Sequence, residues 1–253
     1  MKITFLGTNG WYDTKTGNTI CTLIETKDYF IILDAGNGFY KLDECIKNEK
    51  PIYLFLSHFH LDHIIGLHCK NKFNFKQGIT IYGQKGTKDI LNKIINQPFT
   101  VPFQSEAMPY SVKIYELSEQ KNNLPFSTEF KLLDHWSPCI GYRFKLEGKI
   151  ISYCVDTAPC KNFIKLAKNA NLLITECSFR IGDRIGERWK KEVHLNPETA
   201  AKIAKESKVK KLALTHFDAH KYKTLEQREE AEKYAKKIFR NTFCATDGMA
   251  IEI

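Results

Sequence analysis

A chain of 253 residues, 43% hydrophobic and 26% charged, is long enough for one large α/β domain with an ample core. No apolar run approaches the roughly 18 residues of a membrane span, and residues 1–7 are too short a run for a signal peptide, so a cytoplasmic protein with no membrane partner is expected. A formal net charge of +9, from 38 Lys and Arg against 29 Asp and Glu, favours anionic substrates, nucleic acid included, although lysines spread this evenly read first as solvated surface.

Residues 2–6 read as a strand that ends in a turn at Gly7-Thr8-Asn9-Gly10. Strands at 20–26 and 29–33 flank a tight turn at Lys27-Asp28, and the second runs into the loop Asp34-Ala35-Gly36-Asn37-Gly38. A helix is predicted over 39–48. The aromatic and β-branched run 52–56 reads as a buried strand, and a short helix follows from 61 to about 69. A strand at 79–82, a helix over 87–95 and a proline-broken loop at 97–104 come next. Strands at 112–117 and 130–133 follow, the latter ending at Asp134-His135. Residues 141–146 and 149–155 form a hairpin around Glu147-Gly148, and its second strand stops at Asp156.

The second half continues with a helix over 159–169, a strand over 171–176 and a polar loop, rich in Arg and Gly, over 178–193. Asn196-Pro197 places an N-cap and a first-turn proline at the start of a helix reaching about 207. Strand 211–215 ends at His216, and Thr224-Leu225-Glu226-Gln227 is a capping box for a helix that stops near 240. A strand at 249–253 closes the chain. With no linker and no low-complexity segment, the alternation predicts a single domain over 1–253, of layered sheets with helices outside.

The chemistry concentrates in Ser57-His58-Phe59-His60-Leu61-Asp62-His63, directly after the strand 52–56. Imidazole and carboxylate suit zinc, iron or manganese, and a strand end is a rigid base for them. Neighbouring residues cannot all point at one ion, so the economical arrangement is a pair: His58 and His60 on one, Asp62 and His63 on the other. Of the eight histidines, His135, His194 and His216 also fall at strand ends or loop edges, as does Asp156, and those ends can converge on one edge of the sheets. His68 and His220 lack that placement and read as surface residues. The eight cysteines, with no C-x-x-C pair, read as reduced packing residues.

The stretch 57–63 resembles the H-x-H-x-D-H motif of the metallo-β-lactamase superfamily. Further segments resemble its ribonuclease Z-like branch, in family order: Leu6-Gly7-Thr8, Asp34-Ala35-Gly36, Ile81-Tyr82-Gly83, Gly141-Tyr142-Arg143 after His135, Val155-Asp156-Thr157, Thr175-Glu176-Cys177, His194, and Leu214-Thr215-His216-Phe217. The resemblance implies a four-layered αβ/βα sandwich of the α/β class with two divalent metal ions on one edge, Zn2+ by default, with Mn2+ or Fe2+ accepting the same ligands. It implies His58, His60 and His135 on the first ion, Asp62, His63 and His216 on the second, and Asp156 bridging. It also implies that Asp62 aligns the attacking water, that His194 is a catalytic proton donor and that Glu176 orients it. A homodimer is suggested on the same ground.

The implied activity is phosphodiester hydrolysis, on RNA 3′ ends, cyclic nucleotides or a related diester. One departure stands out. Ribonuclease Z enzymes commonly carry a long tRNA-clamping arm between the third histidine motif and the bridging aspartate, where this chain has only residues 136–155. Arm-less relatives include hydrolases of cyclic nucleotides and small phosphodiesters. Two other readings stay open. The same ions can serve a lactone, thioester or β-lactam hydrolase, and a metal-stabilised binding module needs no catalysis at all, only closed ion sites.

Overall fold

The computed structural model describes residues 1–117, 124–183 and 194–253. In chain order the first half runs β1 (Lys2–Gly7), β2 (Asn9–Gly10), β3 (Cys21–Glu25), β4 (Phe30–Leu33), α1 (Leu42–Cys45), β5 (Ile52–Phe55), α2 (Leu61–Ile64), β6 (Ile79–Gly83), α3 (Thr87–Ile94) and β7 (Val112–Glu116). The second runs β8 (Ser127–Leu132), β9 (Ile140–Leu146), β10 (Lys149–Cys154), α4 (Lys161–Ala167), β11 (Leu172–Glu176), α5 (Pro197–Glu206), β12 (Leu212–Thr215), β13 (Phe217–Asp218), α6 (Leu225–Lys236), β14 (Thr242–Cys244) and β15 (Ala250–Glu252).

Two mixed sheets result. One is seven-stranded, in the order β15-β1-β3-β4-β5-β6-β7; the other is six-stranded, in the order β14-β12-β11-β10-β9-β8. Each has an antiparallel part and a parallel part. β4 through β7 are parallel in the first sheet, and β10, β11, β12 and β14 in the second. Parallel pairing sends the carboxyl ends of successive strands to one edge, which is where the polar residues of both halves emerge.

Side-chain alternation builds three apolar layers from these two sheets. In β4, Phe30 and Ile32 face outward into a cluster with Leu42, Ile64 and Leu91 from the helices, whereas Ile31 and Leu33 face the other sheet. The middle layer joins the sheets: the Phe55 ring lies 5.0 Å from that of Phe144 and 5.4 Å from that of Tyr142. The third layer sets Leu173, Leu212 and Leu214 against Phe163 of α4, Ala200 and Ala204 of α5, and Ala231 of α6. Helix, sheet, sheet, helix is the αβ/βα sandwich expected.

Most local predictions hold. Asn196 accepts from the Thr199 amide at 2.9 Å while Thr199 Oγ1 accepts from the Asn196 amide at 3.0 Å, and Gln227 Oε1 accepts from the Thr224 amide at 3.3 Å. The hairpin turn has φ of +48° at Glu147 and +73° at Gly148, the two left-handed residues such a turn needs.

Four features differ. The helix expected over 39–48 is a 3-10 turn, Asn37–Lys41, followed by the single turn α1. The helix expected over 61–69 is α2 plus a 3-10 segment, Ile65–Lys72. There Gly66 packs so close that a Cβ would lie 2.1 Å from the Gly36 carbonyl, a contact that dictates the local path. The three-residue β14 and the β2–β13 ribbon were not foreseen, being too short to show alternation. Of the loop expected over 178–193, residues 184–193 lie outside the described residues.

Candidate active site

β5 carries the chain into Ser57 and His58, and α2 places Asp62 and His63 on its single turn. His135 follows β8, Asp156 follows β10, Glu176 is the last residue of β11, His216 follows β12, and His194 stands just before α5. Asp34, Asp156 and His216 take φ of +58°, +48° and +49° just past the ends of β4, β10 and β12. Residues with a Cβ avoid that region unless surrounding structure enforces it.

These strand ends bring the seven predicted side chains into two neighbouring groups. Ligand atoms of His58, His60, His135 and Asp156 lie within 4.8 Å of one another, as do those of Asp62, His63 and His216. Asp156 stands between the groups. Its Oδ2 is 3.2 Å from His58 Nε2 and 2.8 Å from His63 Nε2, and its Oδ1 is 3.3 Å from His216 Nδ1. Asp62 Oδ2 lies 3.3 Å from His216 Nε2 and 3.7 Å from His63 Nε2.

The donor set fits divalent ions. His58 Nε2, both ring nitrogens of His135 and Asp156 Oδ1 are buried and make no hydrogen bond. Buried polar atoms without partners are costly, and a bound cation would take up His58 Nε2, one ring nitrogen of His135 and the Asp156 carboxylate. Protonation states point the same way. Burial pushes His58 and His60 below the ordinary imidazole range and His135 down to about 4, leaving the neutral form that ligates. Burial works against ionising Asp62 and Asp156, but the charges and hydrogen bonds of His63 and His216 prevail and hold both carboxyls below the usual range. Burial likewise opposes charge on His63 and His216, and the surrounding carboxylates override it, raising both. Ligation requires those protons to leave, so ion binding is coupled to proton release.

A buried carboxylate supports the cluster from behind. Asp34 Oδ2 accepts from His63 Nδ1 at 2.8 Å, from Ser57 Oγ at 2.8 Å and from Tyr153 OH at 2.6 Å, and its Oδ1 accepts from the Ser57 amide at 2.7 Å. The first of these bonds holds the proton of His63 on Nδ1 and turns Nε2 toward the site. Asp34 is a site residue beyond those expected, and its place at the end of strand 29–33, beside glycines, is the signal in the sequence.

His194 borders the cluster, its side chain 23% exposed, with Nδ1 3.0 Å and 3.1 Å from the two oxygens of Glu176 and 3.5 Å from Asp156 Oδ1. Glu176 is held in turn by the amides of Thr157 at 2.6 Å and Leu195 at 3.2 Å. Burial pulls the His194 pKa down, but the charge of Glu176 and its hydrogen bond raise it to about 9. Glu176 thus favours the protonated ring, and with Nδ1 engaged, Nε2 is the atom left to meet a ligand.

His68 and His220 are exposed and belong to neither group. No cysteine joins the groups; Cys139, Cys154 and Cys177 are buried free thiols, and Cys160 caps α4 by accepting from the Phe163 amide at 3.4 Å. Residues 136–155 form a loop and the β9–β10 hairpin.

A family model described as a beta-lactamase superfamily domain matches residues 29–217. The ribonuclease Z of Methanosarcina acetivorans is 26% identical over 310 aligned positions, covering 100% of this chain and 98% of that protein. That span exceeds the 253 residues here, so the relative carries segments this chain lacks. The crystal structure of the metallo-beta-lactamase fold protein YhfI from Bacillus subtilis matches with a TM-score of 0.80 at 25% identity, covering 100% of this chain and 98% of that one. Human short-form tRNase Z matches with a TM-score of 0.73 at 22% identity, covering 100% and 99%.

Proposed function

As a metal-dependent hydrolase that belongs to the beta-lactamase superfamily, this chain cleaves, we propose, a phosphodiester: an RNA 3′ end, a cyclic nucleotide or a related diester. The observation that carries this reading is the His194–Glu176 pair beside Asp156, an imidazole fixed by a buried carboxylate at the border of a two-ion donor set. Relatives named ribonuclease Z, matched over the full chain, support it.

His58, His60, His135 and Asp156 would hold one ion, and Asp62, His63, His216 and the shared Asp156 the other. The histidine-rich set favours zinc, with manganese and iron compatible. When bound, the ions supply a water acidified toward neutral pH and positive charge opposite the phosphoryl oxygens. Asp62, anchored by the Trp11 amide at 2.7 Å, accepts a hydrogen bond from the attacking water and aligns it with phosphorus. His194 donates Nε2–H to a phosphoryl oxygen or to the leaving oxygen, a contribution of typically 10²–10⁴-fold. Glu176 keeps that ring protonated and oriented.

The test is metal content together with turnover of 3′-extended tRNA, 2′,3′- and 3′,5′-cyclic nucleotides, bis-p-nitrophenyl phosphate and a lactone panel. About two ions per chain with diester turnover is the expected result, and tRNA cleavage would show the arm to be dispensable. Hydrolysis of lactones with no diester turned over would overturn the reading.

A further inference from the structure

The loop between β1 and β3 presents two aromatic rings to solvent at the metal edge. Trp11 is 67% exposed and Tyr12 40%, and their rings meet edge to face with centroids 5.2 Å apart. Neither ring contributes to a core. An exposed aromatic pair is unremarkable on a mobile tip, but this loop is tied down on every side.

Asn9 donates from Nδ2 to the carbonyls of Tyr12 at 3.1 Å and Gly17 at 2.8 Å. Asp13 accepts from the Thr19 amide at 2.6 Å and from Asn37 Nδ2 at 2.7 Å. From α6, the buried guanidinium of Arg228 donates to Thr8 Oγ1 at 2.8 Å, to Thr16 Oγ1 at 3.2 Å and to Asn9 Oδ1. Thr8, Asn9 and Thr16 are buried, and the same guanidinium lies over the Phe217 ring at 4.5 Å, so the base of the loop is joined to the core.

Two contacts register the loop tip against the second ion's ligands. A Cβ on Gly10 would lie 2.5 Å from His216 Cε1, so the backbone there rests against the His216 ring. The Trp11 amide donates to Asp62 Oδ2 at 2.7 Å, and Trp11 reaches that bond with φ of +76°, a left-handed conformation costly for a side chain of this size. The backbone of Trp11 is thereby held beside the Asp62 carboxylate, and its indole stays largely exposed.

We infer that Trp11 is a positioning residue that stacks on the nucleobase one ribose away from the phosphate in the site, making nucleotidyl phosphodiesters the substrate class. This rests on the phosphodiesterase reading and specifies it. A π-face recognises any base without reading its sequence, so the preference is for a base over none. Tyr12 buttresses the indole from its edge.

The experiment compares adenosine 5′-monophosphate with ribose 5-phosphate by calorimetric titration of the metal-loaded protein, alongside steady-state kinetics on a dinucleotide diester and on methyl p-nitrophenyl phosphate. The base should tighten binding by about 10- to 100-fold. Trp11→Ala should abolish that difference and raise KM for the dinucleotide by a similar factor relative to KM for methyl p-nitrophenyl phosphate, so that the ratio of the two isolates the ring from any effect on Asp62. Trp11→Phe should restore most of the preference, and an unchanged melting temperature in both variants would show that the fold is intact. Equal binding of the two probes by the wild-type protein, or a preference that survives in Trp11→Ala, overturns the stacking while leaving diester hydrolysis standing. Lactone hydrolysis with no diester turned over removes the phosphodiesterase reading and this inference with it.

Discussion

Asp34 touches no substrate position, yet its replacement should disable the second ion site. Its two oxygens receive four donors: the Ser57 amide, Ser57 Oγ, Tyr153 OH and His63 Nδ1, all between 2.6 and 2.8 Å. Asp34→Asn keeps the volume but turns one acceptor into an NH2 donor. If the amide oxygen faces Oδ2's three partners, the Ser57 amide meets a donor; in the opposite flip the three do. At least one buried donor is left unpaired, at about 1–3 kcal/mol. His63 also loses the carboxylate that holds its proton on Nδ1, and losses of that kind typically cost 10–100-fold in metal affinity. The expected outcome is a protein destabilised by about 2 kcal/mol whose second ion exchanges with a chelator at least tenfold more readily while the first is retained. Chelator competition read by metal analysis, with urea denaturation in parallel, measures both. Two ions held at wild-type affinity, with an unchanged urea midpoint, would refute the argument.

His194→Ala should retain both ions and lower kcat by about 10²–10⁴-fold, whereas Asp156→Ala, which removes the carboxylate shared by both groups, should lose metal; metal content measured beside turnover separates the two. Gly10→Ala drives a Cβ to within 2.5 Å of the His216 ring and should weaken the second ion by at least about tenfold, visible as substoichiometric metal after dialysis. Lys70, 1% exposed with its ammonium donating to the Val101 carbonyl, has its pKa lowered by burial to about 8 against an ordinary 10.5. The unfolded chain therefore binds more protons between those values, so stability rises with pH across pH 8 to 10.5, by at most about 3 kcal/mol and less where water screens the ammonium. Lys70→Met should flatten that rise in urea midpoints taken across the window.

Much of the edge was legible because its ligands are local or end a strand. His58, His60, Asp62 and His63 share one stretch, and Asp156, Glu176 and His216 each end or follow a run of apolar residues that announces a strand. What escaped was whatever depends on partners distant in sequence. Asp34 meets Tyr153 119 positions away, and Arg228 meets Asn9 across 219. Neither bond leaves a mark on local periodicity. The short helices failed for a related reason. Apolar spacing over 39–48 and 61–69 suggested regular helix, but Gly38 sits with its Cα against the Gly7 backbone and Gly66 against the Gly36 carbonyl, and those contacts impose tighter 3-10 geometry.

The backbone strain at this edge explains why the functional groups lie where they do. Asp34, Asp156, His216 and Trp11 all adopt left-handed φ, a conformation that costs about 1–3 kcal/mol apiece for residues with a Cβ. Three of them follow strands whose last four residues are buried, so the sheets hold those chain directions against the strain. A left-handed residue at a strand end swings its side chain out of the sheet's alternation and across the edge. That is how Asp34 reaches His63 from behind while Asp156 and His216, from the other sheet, meet the α2 ligands in front. Trp11 is held in the same way, by Arg228 and the Asn9 bonds instead of by a sheet, and its ring stays largely exposed. The same strain thus serves two ends: three side chains bond within the cluster, and Trp11 gives its amide to Asp62 while its ring stays exposed.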